Sequence, residues 1–227
     1  MFEKFLDFLF PPRCPICGDD VALHGQVCIK CWGEFNWISD PMCEKCGYPF
    51  PADVGRGENM LCPNCVGKKT KLDRFRAAAV YDDAARAVML PFKHGGRLEF
   101  QEPMAKAMIA ALRDLDLGKN DKDLVVLPVP LALRRLWKRG YNQAALLARP
   151  IAKHLGAKVD YDSVRRKFRA DMGHKHAAAR QRNIAGVFRV RRPDKIRGRK
   201  ILLVDDVRTT GATWVGGVAF CRTVRAI

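Results

Sequence analysis

Short apolar runs alternate with amphipathic segments along most of the chain after the Lys68-Lys69-Thr70-Lys71 stretch. Residues 75–81 (FRAAAVY) and 124–130 (LVVLPVP) are apolar runs typical of buried strands, and Ile201–Val204 is the clearest run of this kind. Residues 184–190 predict one more strand. Because strands that alternate with helices pair in parallel through helical crossovers, the pattern predicts an α/β fold with a mostly parallel sheet.

Two segments between these strands have the period of amphipathic helices. The second of them spans Asn142 to Leu155, ends at Gly156 and contains Pro150, which predicts a kink. The first begins at Pro103, and its apolar face consists of Met104, Met108, Ala111, Leu112 and Leu115.

The first ten residues, MFEKFLDFLF, are apolar but include Glu3 and Asp7. They stop at Pro11-Pro12 with no small-residue cleavage site, so we expect a short amphipathic helix packed on the body rather than a signal peptide. Nowhere does an uncharged apolar stretch approach the length of about 18 residues that a transmembrane helix needs.

Eight of the nine cysteines form four C-x-x-C pairs before residue 70. Two such pairs complete a tetrahedral shell of four sulfurs, so the four pairs can hold two structural Zn²⁺ ions. Consecutive ribbons are the simplest arrangement, although a cross-braced pairing stays open. In the consecutive arrangement the first ion is bound by Cys14, Cys17, Cys28 and Cys31, and the second by Cys43, Cys46, Cys62 and Cys65.

Disulfides and an iron–sulfur cluster are the alternatives to zinc, and the lack of a secretory signal disfavours disulfides. Few large apolar side chains surround the cysteines, so this segment needs its metal to fold. We therefore expect residues 1–70 to form an N-terminal helix and a double zinc ribbon, and residues 71–227 to form the α/β domain.

The charge of the chain, +17 in all, is concentrated in one segment. From Arg134 to Lys200 there are 21 Lys and Arg residues and four acids, whereas the remaining 160 residues sum to zero. Localised positive potential attracts polyanions and phosphate-rich substrates. Trp137 and Tyr141 lie within this segment and are candidates for stacking on bases, although burial in a helix face explains them equally well.

The strand at 201–204 leads into two adjacent carboxylates and a turn rich in Thr and Gly: residues 201–213 are ILLVDDVRTTGAT. Ligands of α/β sheets bind at the carboxyl ends of strands, and the amides of a small-residue loop before a helix suit a phosphate. Two acids repel a phosphate, but they suit a ribose cis-diol on the same ligand. The motif therefore predicts a sugar-phosphate site, and an acidic turn without a ligand is the alternative.

This motif resembles the 5-phosphoribosyl-1-pyrophosphate (PRPP) signature of the type I phosphoribosyltransferases. The resemblance implies that Asp205 and Asp206 bind the ribose hydroxyls and that the loop from Arg208 to Thr213 surrounds the 5′-phosphate. It also implies transfer of the phosphoribosyl group to a nitrogen acceptor, with Mg²⁺ on the departing pyrophosphate. The expected PRPP-binding residues are Asp205, Asp206, Val207, Arg208, Thr209, Thr210, Gly211, Ala212, Thr213 and Lys93.

Basic residues for the pyrophosphate are expected near the exit of the strand at 124–130. Arg139 is the leading candidate and joins Asp205 and Asp206 as an expected catalytic residue, and Lys93 is the second candidate. Because exposed Arg and Lys are common, a purely structural role is the alternative for each. We interpret His94 as a loop histidine rather than a general base.

Further landmarks narrow the resemblance: the cysteine pairs, PVP at 128–130, RGYNQ at 139–143 and the motif at 204–213 follow one another in this order. This order resembles the ComF family, a double zinc ribbon fused to a phosphoribosyltransferase-like domain. The resemblance implies a cytoplasmic bacterial protein of natural competence, with single-stranded DNA and other DNA-uptake proteins as partners. The family pattern continues past the Thr/Gly loop with a helix and a strand, so we expect the stretch from Trp214 to Ile227 to be a truncated end.

Two classes of function follow from these residues. The first is a phosphoribosyltransferase whose acceptor the sequence does not identify. The second is a non-catalytic module of the DNA-uptake machinery that binds nucleic acid through residues 134–200 or acts as a scaffold.

Overall fold

The computed structural model describes residues 10–55, 57, 59–68, 72–166, 188–210 and 212–221, with the last three residues before Gly211 and all of 212–221 described as backbone. Its helices are α1 (Ile29–Gly33), α2 (Asp83–His94), α3 (Gln101–Ala110), α4 (Leu133–Arg139) and α5 (Gln143–Leu155). Its strands are β1 (Arg74–Val80), β2 (Leu124–Pro128), β3 (Lys158–Val159), β4 (Val164–Arg166), β5 (Phe188–Val190), β6 (Lys200–Thr210) and β7 (Ala212–Cys221).

A five-stranded sheet with the order β1-β7-β6-β2-β3 forms the centre of the fold. Strand β2 pairs in parallel with both β3 and β6, whereas β7 runs antiparallel to β6 and to β1. Four of the five strands therefore point the same way, which confirms the predicted α/β class with a mostly parallel sheet. In the β2–β6 ladder Pro128 lies opposite Val204, so Asp205 and Asp206 are the first residues of β6 beyond the end of β2.

The two faces of the sheet have separate cores. Helices α2, α3 and α5 contribute Phe92, Met108 and Leu147 to the larger core, which they share with Val126 and Leu202 of the sheet. The antiparallel hairpin of β4 and β5 packs on the other face, where Val164 and Val190 contact the cluster of Val125, Leu127, Ile196 and Ile201. Both faces of the parallel strands are buried, as their continuous apolar runs require.

Most predicted elements are confirmed with shifted ends. The strand at 75–81 is β1, the strand at 124–130 is β2, and the helix at 142–155 is α5, which contains Pro150 and ends at Gly156 in the left-handed conformation. The helix predicted from Pro103 begins at Gln101 and ends at Ala110. The strand at 184–190 is described from Phe188 onwards, and the predicted N-terminal helix lies outside the described residues up to Phe10.

The family pattern continues with a helix after the Thr/Gly loop, whereas this chain continues with a strand. Strand β6 continues to Thr210, and β7 returns antiparallel to it from Ala212, with Thr209 paired to Thr213. Residues 213–221 are rich in β-branched and aromatic types, and the glycine between the strands suits a tight reversal. The same strand fills the gap between β6 and β1, which helix-forming residues could not do.

The cysteine-rich segment is joined to the sheet at the edge strand β1. The amide of Ile38 donates to Ala78 O at 2.9 Å, the amide of Val80 donates to Asn36 O at 2.9 Å, and Trp37 forms an antiparallel bridge with Ala79. The stretch 36–38 therefore covers an edge whose backbone groups would otherwise be unpaired.

Candidate functional site

The four cysteine pairs form two separate groups of four thiols. Within each group every sulfur lies within 4.8 Å of the other three; the groups are Cys14, Cys17, Cys28 and Cys31, and Cys43, Cys46, Cys62 and Cys65. This grouping confirms the consecutive arrangement, so the cross-braced alternative is wrong.

The local backbone is repeated in the two groups. Gly18 N donates to Cys14 O at 2.9 Å, and Gly47 N donates to Cys43 O at 2.8 Å. Both glycines have positive φ angles, +82° and +65°, which L side chains rarely adopt. Each glycine lets the chain turn directly after the second cysteine of a knuckle, so both sulfurs face the same point.

The sulfur geometry fits structural Zn²⁺. A tetrahedral site with Zn–S bonds of about 2.3 Å holds its sulfurs roughly 3.8 Å apart. Cys17 Sγ lies 3.6 Å from Cys28 Sγ, and Cys46 Sγ lies 3.5 Å from Cys62 Sγ. With four protein ligands at each centre no coordination position is left for a substrate, which is the arrangement of structural rather than catalytic zinc.

A second group of polar side chains lies at the carboxyl ends of β2 and β6. Asp205 and Asp206 stand next to Lys93, which is in the last turn of α2, and Lys93 Nζ lies 3.2 Å from Asp206 Oδ2. Both side chains of this ion pair are mostly buried, 17% and 14% exposed. The amide of Asp206 donates to Asp205 Oδ1 at 2.9 Å. The structure thus brings Lys93 next to two acids that are far from it in the sequence.

Burial and, after it, the neighbouring Asp206 carboxylate together raise the pKa of Asp205 to about 7, although the hydrogen bond from the Asp206 amide and the charge of Lys93 lower it. The pKa of His94 is lowered by burial and then by the charges of Arg139 and Lys93. His94 is the last residue of α2 rather than a loop residue. The site therefore combines a pair of acids, one of which titrates near neutrality, with a surrounding positive field.

Helices α4 and α5 position the basic residues of this site, Arg139 and Lys93. Arg139 Nη1 donates to Gln143 Oε1 at 3.2 Å, and Gln143 Nε2 donates to Lys93 O at 3.2 Å. The Tyr141 hydroxyl donates to Phe92 O. Arg139 is therefore tied to the end of the helix that carries Lys93, through a glutamine that is 1% exposed.

The predicted 5′-phosphate segment is on the β6–β7 hairpin. Arg208, Thr209 and Thr210 are the last residues of β6, and Ala212 and Thr213 open β7. Gly211 lies outside the described residues. The backbone of the flanking residues takes part in strand pairing, so the loop with outward-facing amides that the sequence predicts is not the arrangement found.

Comparisons with known proteins agree with this two-part architecture. Residues 5–66 match the family model of the double zinc ribbon domain. The chain is also 30% identical over 209 residues to the DNA utilization protein YhgH of Salmonella typhi, covering 89% of this chain and 87% of the relative. The chain belongs to the ComF family. It is 26% identical to Competence protein F of Haemophilus influenzae, over 82% of this chain and 86% of that protein.

A more distant ComF-family relative is Competence protein ComFC of Bacillus subtilis, which is 24% identical over 83% of this chain and 74% of the relative. No solved structure matches the chain. Among the described residues, no helix of this ComF-family chain has both the length and the apolar character needed to cross a bilayer.

Sequence reasoning missed two polar residues of this ComF-family fold. Gln143 occurs in the RGYNQ landmark, but nothing in the sequence shows that its two ends connect Arg139 to α2. Arg76 interrupts an apolar strand and is 2% exposed. A lone charge in a predicted buried strand is itself a signal of a buried partner, which the structure identifies as Asp114.

Proposed function

We propose that this protein acts in the uptake or use of DNA in the cytoplasm. We further propose that the site at the carboxyl ends of β2 and β6 binds PRPP with Mg²⁺. The names of its relatives, DNA utilization protein and competence protein, support the first part. The second part rests on the resemblance of residues 201–213 to the PRPP signature and on the side chains around it.

One observation supports the sugar-phosphate assignment more than any other, the position of Lys93 at 3.2 Å from Asp206 beside Asp205. Paired carboxylates accept hydrogen bonds from the two hydroxyls of a ribose, and adjacent cations neutralise the pyrophosphate on the same sugar. In this proposal Asp205 and Asp206 hold the ribose, and Lys93 and Arg139 face the pyrophosphate and its Mg²⁺.

The reaction that such a site supports is the transfer of the phosphoribosyl group to a nitrogen nucleophile. Pyrophosphate leaves from the anomeric carbon, and the protein stabilises the separating charges by fixed dipoles and cations. An ionised Asp205 accepts hydrogen bonds from the ribose hydroxyls more strongly than a protonated one, so binding is expected to strengthen as the pH rises through about 7.

Calorimetric titration of PRPP with Mg²⁺ tests the assignment, with pyrophosphate release followed in the same samples. We expect D205N/D206N to lose most of the binding, and D83N, which changes a fully exposed carboxylate on α2, to bind as the unaltered protein does. Equal affinity in D205N/D206N and the unaltered protein would refute the role of the acids. Binding without pyrophosphate release in the presence of single-stranded DNA would favour a sensor over an enzyme.

The second candidate function is binding of single-stranded DNA by the basic segment from Arg134 to Lys200. On α4 the side chain of Trp137 is 87% exposed and Leu133 is 61% exposed, next to Lys138. Tyr141, by contrast, packs against Phe92 and is half-buried, which removes it as a stacking platform. We expect the logarithm of the affinity to fall linearly with the logarithm of the salt concentration, with a slope of about 0.7 for each phosphate contact. A flat salt dependence would contradict this candidate.

A further inference from the structure

The β4–β5 hairpin forms a cavity that the sugar-phosphate site does not use. Its volume is about 360 Å³, and it is lined by Arg165, Arg166, Arg189, Val190 and Arg191. Four of the five lining residues are therefore permanently charged cations, because arginine stays protonated at any physiological pH.

The register of the hairpin places like charges directly against each other. Arg165 of β4 lies opposite Arg189 of β5, next to the apolar pair Val164 and Val190. Like charges directly across an antiparallel pair destabilise it. The described residues 161–166 and 188–192 include five arginines and a single acid, Asp162, which contacts Arg165 at 3.6 Å. That contact is exposed and adds little.

The fold nevertheless holds these arginines in position. Val164 and Val190 pack on the buried cluster that residues of β2 and β6 form with Ile196. The ladder continues where Arg191 N donates to Ser163 O at 2.7 Å, and Ser163 itself is fully buried. The Arg166 guanidinium lies over the Phe188 ring at 6.0 Å. The cations are thus presented by a packed scaffold rather than by a free tail.

From this arrangement we propose that the arginine hairpin binds the phosphodiester backbone of single-stranded DNA. Guanidinium groups bind phosphate oxygens in bidentate pairs, and a bound phosphate offsets the repulsion between Arg165 and Arg189. A concave site on a two-stranded hairpin admits one backbone strand, and the arginine planes can stack on its bases. The proposal rests on the proposed role in DNA use and narrows its interface from the segment 134–200 to one hairpin.

Fluorescence anisotropy of a labelled oligothymidylate over a range of salt concentrations tests the proposal on the full zinc-loaded chain. We expect R165Q/R189Q to lower the slope of log affinity against log salt by about 1.4, the value for two lost contacts to a single strand. Affinity at low salt should fall roughly tenfold. R191Q, at the same cavity, should lower the slope by about 0.7.

The matched control is R86Q/R113Q, which removes the same charge from two exposed surface ion pairs, one on α2 and one in the turn that follows α3. It should leave the slope unchanged. Without DNA, the melting temperature of R165Q/R189Q should equal or exceed that of the unaltered protein, since the variant removes repulsion between exposed side chains.

Each other outcome counts against a separate part of the proposal. If the unaltered chain binds oligothymidylate and both hairpin variants keep its slope, the hairpin is not the contact and the DNA role stands. If the unaltered chain does not bind, the DNA-binding function itself fails, whatever the PRPP titration shows. Tighter binding of a duplex than of a single strand overturns the assignment to one strand.

Discussion

The buried Arg76 guanidinium forms an ion pair with the partly exposed Asp114, in which Arg76 Nε lies 2.7 Å from one carboxylate oxygen and 2.9 Å from the other. The same guanidinium donates through Nη1 to Glu44 O at 2.8 Å. One side chain of β1 therefore connects the second zinc ribbon to the segment that follows α3. The ribbon and the sheet share this contact, so their stabilities are coupled.

Replacement of Arg76 by Ala is expected to lower the free energy of unfolding by about 3 kcal/mol. The variant leaves Asp114 without its partner and removes the donor to Glu44 O, and the partial exposure of Asp114 limits the cost. Urea unfolding of the zinc-loaded protein measures the change. R86A, which breaks an exposed ion pair with Asp83, should cost less than about 1 kcal/mol. Similar losses in the two variants would contradict the coupling.

Gly47 and Gly18 offer a matched pair of substitutions in the two ribbons. Both have positive φ, so Ala at either position costs about 1 kcal/mol for the backbone alone. A Cβ at Gly47 would also lie 2.9 Å from Phe75 O, whereas nothing lies within 4 Å of one at Gly18. We expect G47A to be the more destabilising by at least about 1 kcal/mol in urea unfolding. If G18A costs as much as G47A, the second knuckle does not pack on β1 as the structure describes.

The sequence predicts the groups that carry chemistry better than it predicts their surroundings. Cysteine spacing identified all eight metal ligands because each knuckle is a local turn. Lys93 and Asp206 were both predicted site residues, but their contact depends on the end of α2 meeting the end of β6. That meeting is a property of the packed core, which no local pattern encodes.

At the β6–β7 hairpin the sequence motif predicts a different local structure from the one found. The motif at 201–213 resembles a phosphate loop, which in the family pattern is followed by a helix. Residues 213–221 have the composition of a strand, with β-branched and aromatic types, and this strand lies between β6 and β1 in the sheet. Strand propensity together with tertiary pairing therefore outweighs the expectation taken from the motif.

The raised pKa of Asp205 predicts a pH dependence of stability. The folded state holds this proton up to about pH 7, whereas the unfolded chain releases it near its ordinary pKa of 3.8. The folded state binds more protons in that window, so its stability falls as the pH rises from about 4 to about 7 and then levels off. The loss is on the order of 4 kcal/mol. Urea unfolding at a series of pH values measures it.

D205N removes the titrating group and keeps its neutral shape, so the variant should lack this part of the pH dependence and be the more stable protein at pH 8. D83N changes a fully exposed carboxylate and should follow the unaltered protein. A D205N curve parallel to that of the unaltered protein would show that Asp205 is ionised throughout.

Lys93→Gln provides a second test of the same electrostatics. Lys93 lowers the pKa of Asp205, so removal of its charge should raise that pKa further. Carbon-13 NMR of the aspartate carboxyl groups, with D205N used to assign the signal, measures the titration. Lys106→Gln, which changes an exposed ion pair with Glu102 on α3, should leave the titration in place. A downward shift in Lys93→Gln would mean that the lysine does not act on Asp205.

Metal content should be two Zn²⁺ per chain, because the two groups of four cysteines are separate. C14S/C17S and C43S/C46S should each retain one ion, as measured by elemental analysis of the purified proteins. The variant C14S/C17S/C28S/C31S should also retain one ion, because all four of its changes fall in one group, whereas in a cross-braced arrangement the same four changes would disrupt both sites. The two losses should differ in their effect on the rest of the fold. The second ribbon is bound to β1 by Phe75 N donating to Lys45 O at 2.8 Å and by the contact of Arg76 with Glu44 O.

Loss of the second ion should therefore lower the unfolding free energy of the α/β domain more than loss of the first. Loss of the second ion also loosens the stretch 36–38, which covers the β1 edge. An uncovered edge strand pairs readily with other chains. We expect C43S/C46S to form oligomers in size-exclusion chromatography at concentrations where C14S/C17S stays monodisperse. If both variants behave alike, the edge is protected by the first ribbon as much as by the second, and the coupling through Arg76 is not what holds the two parts together.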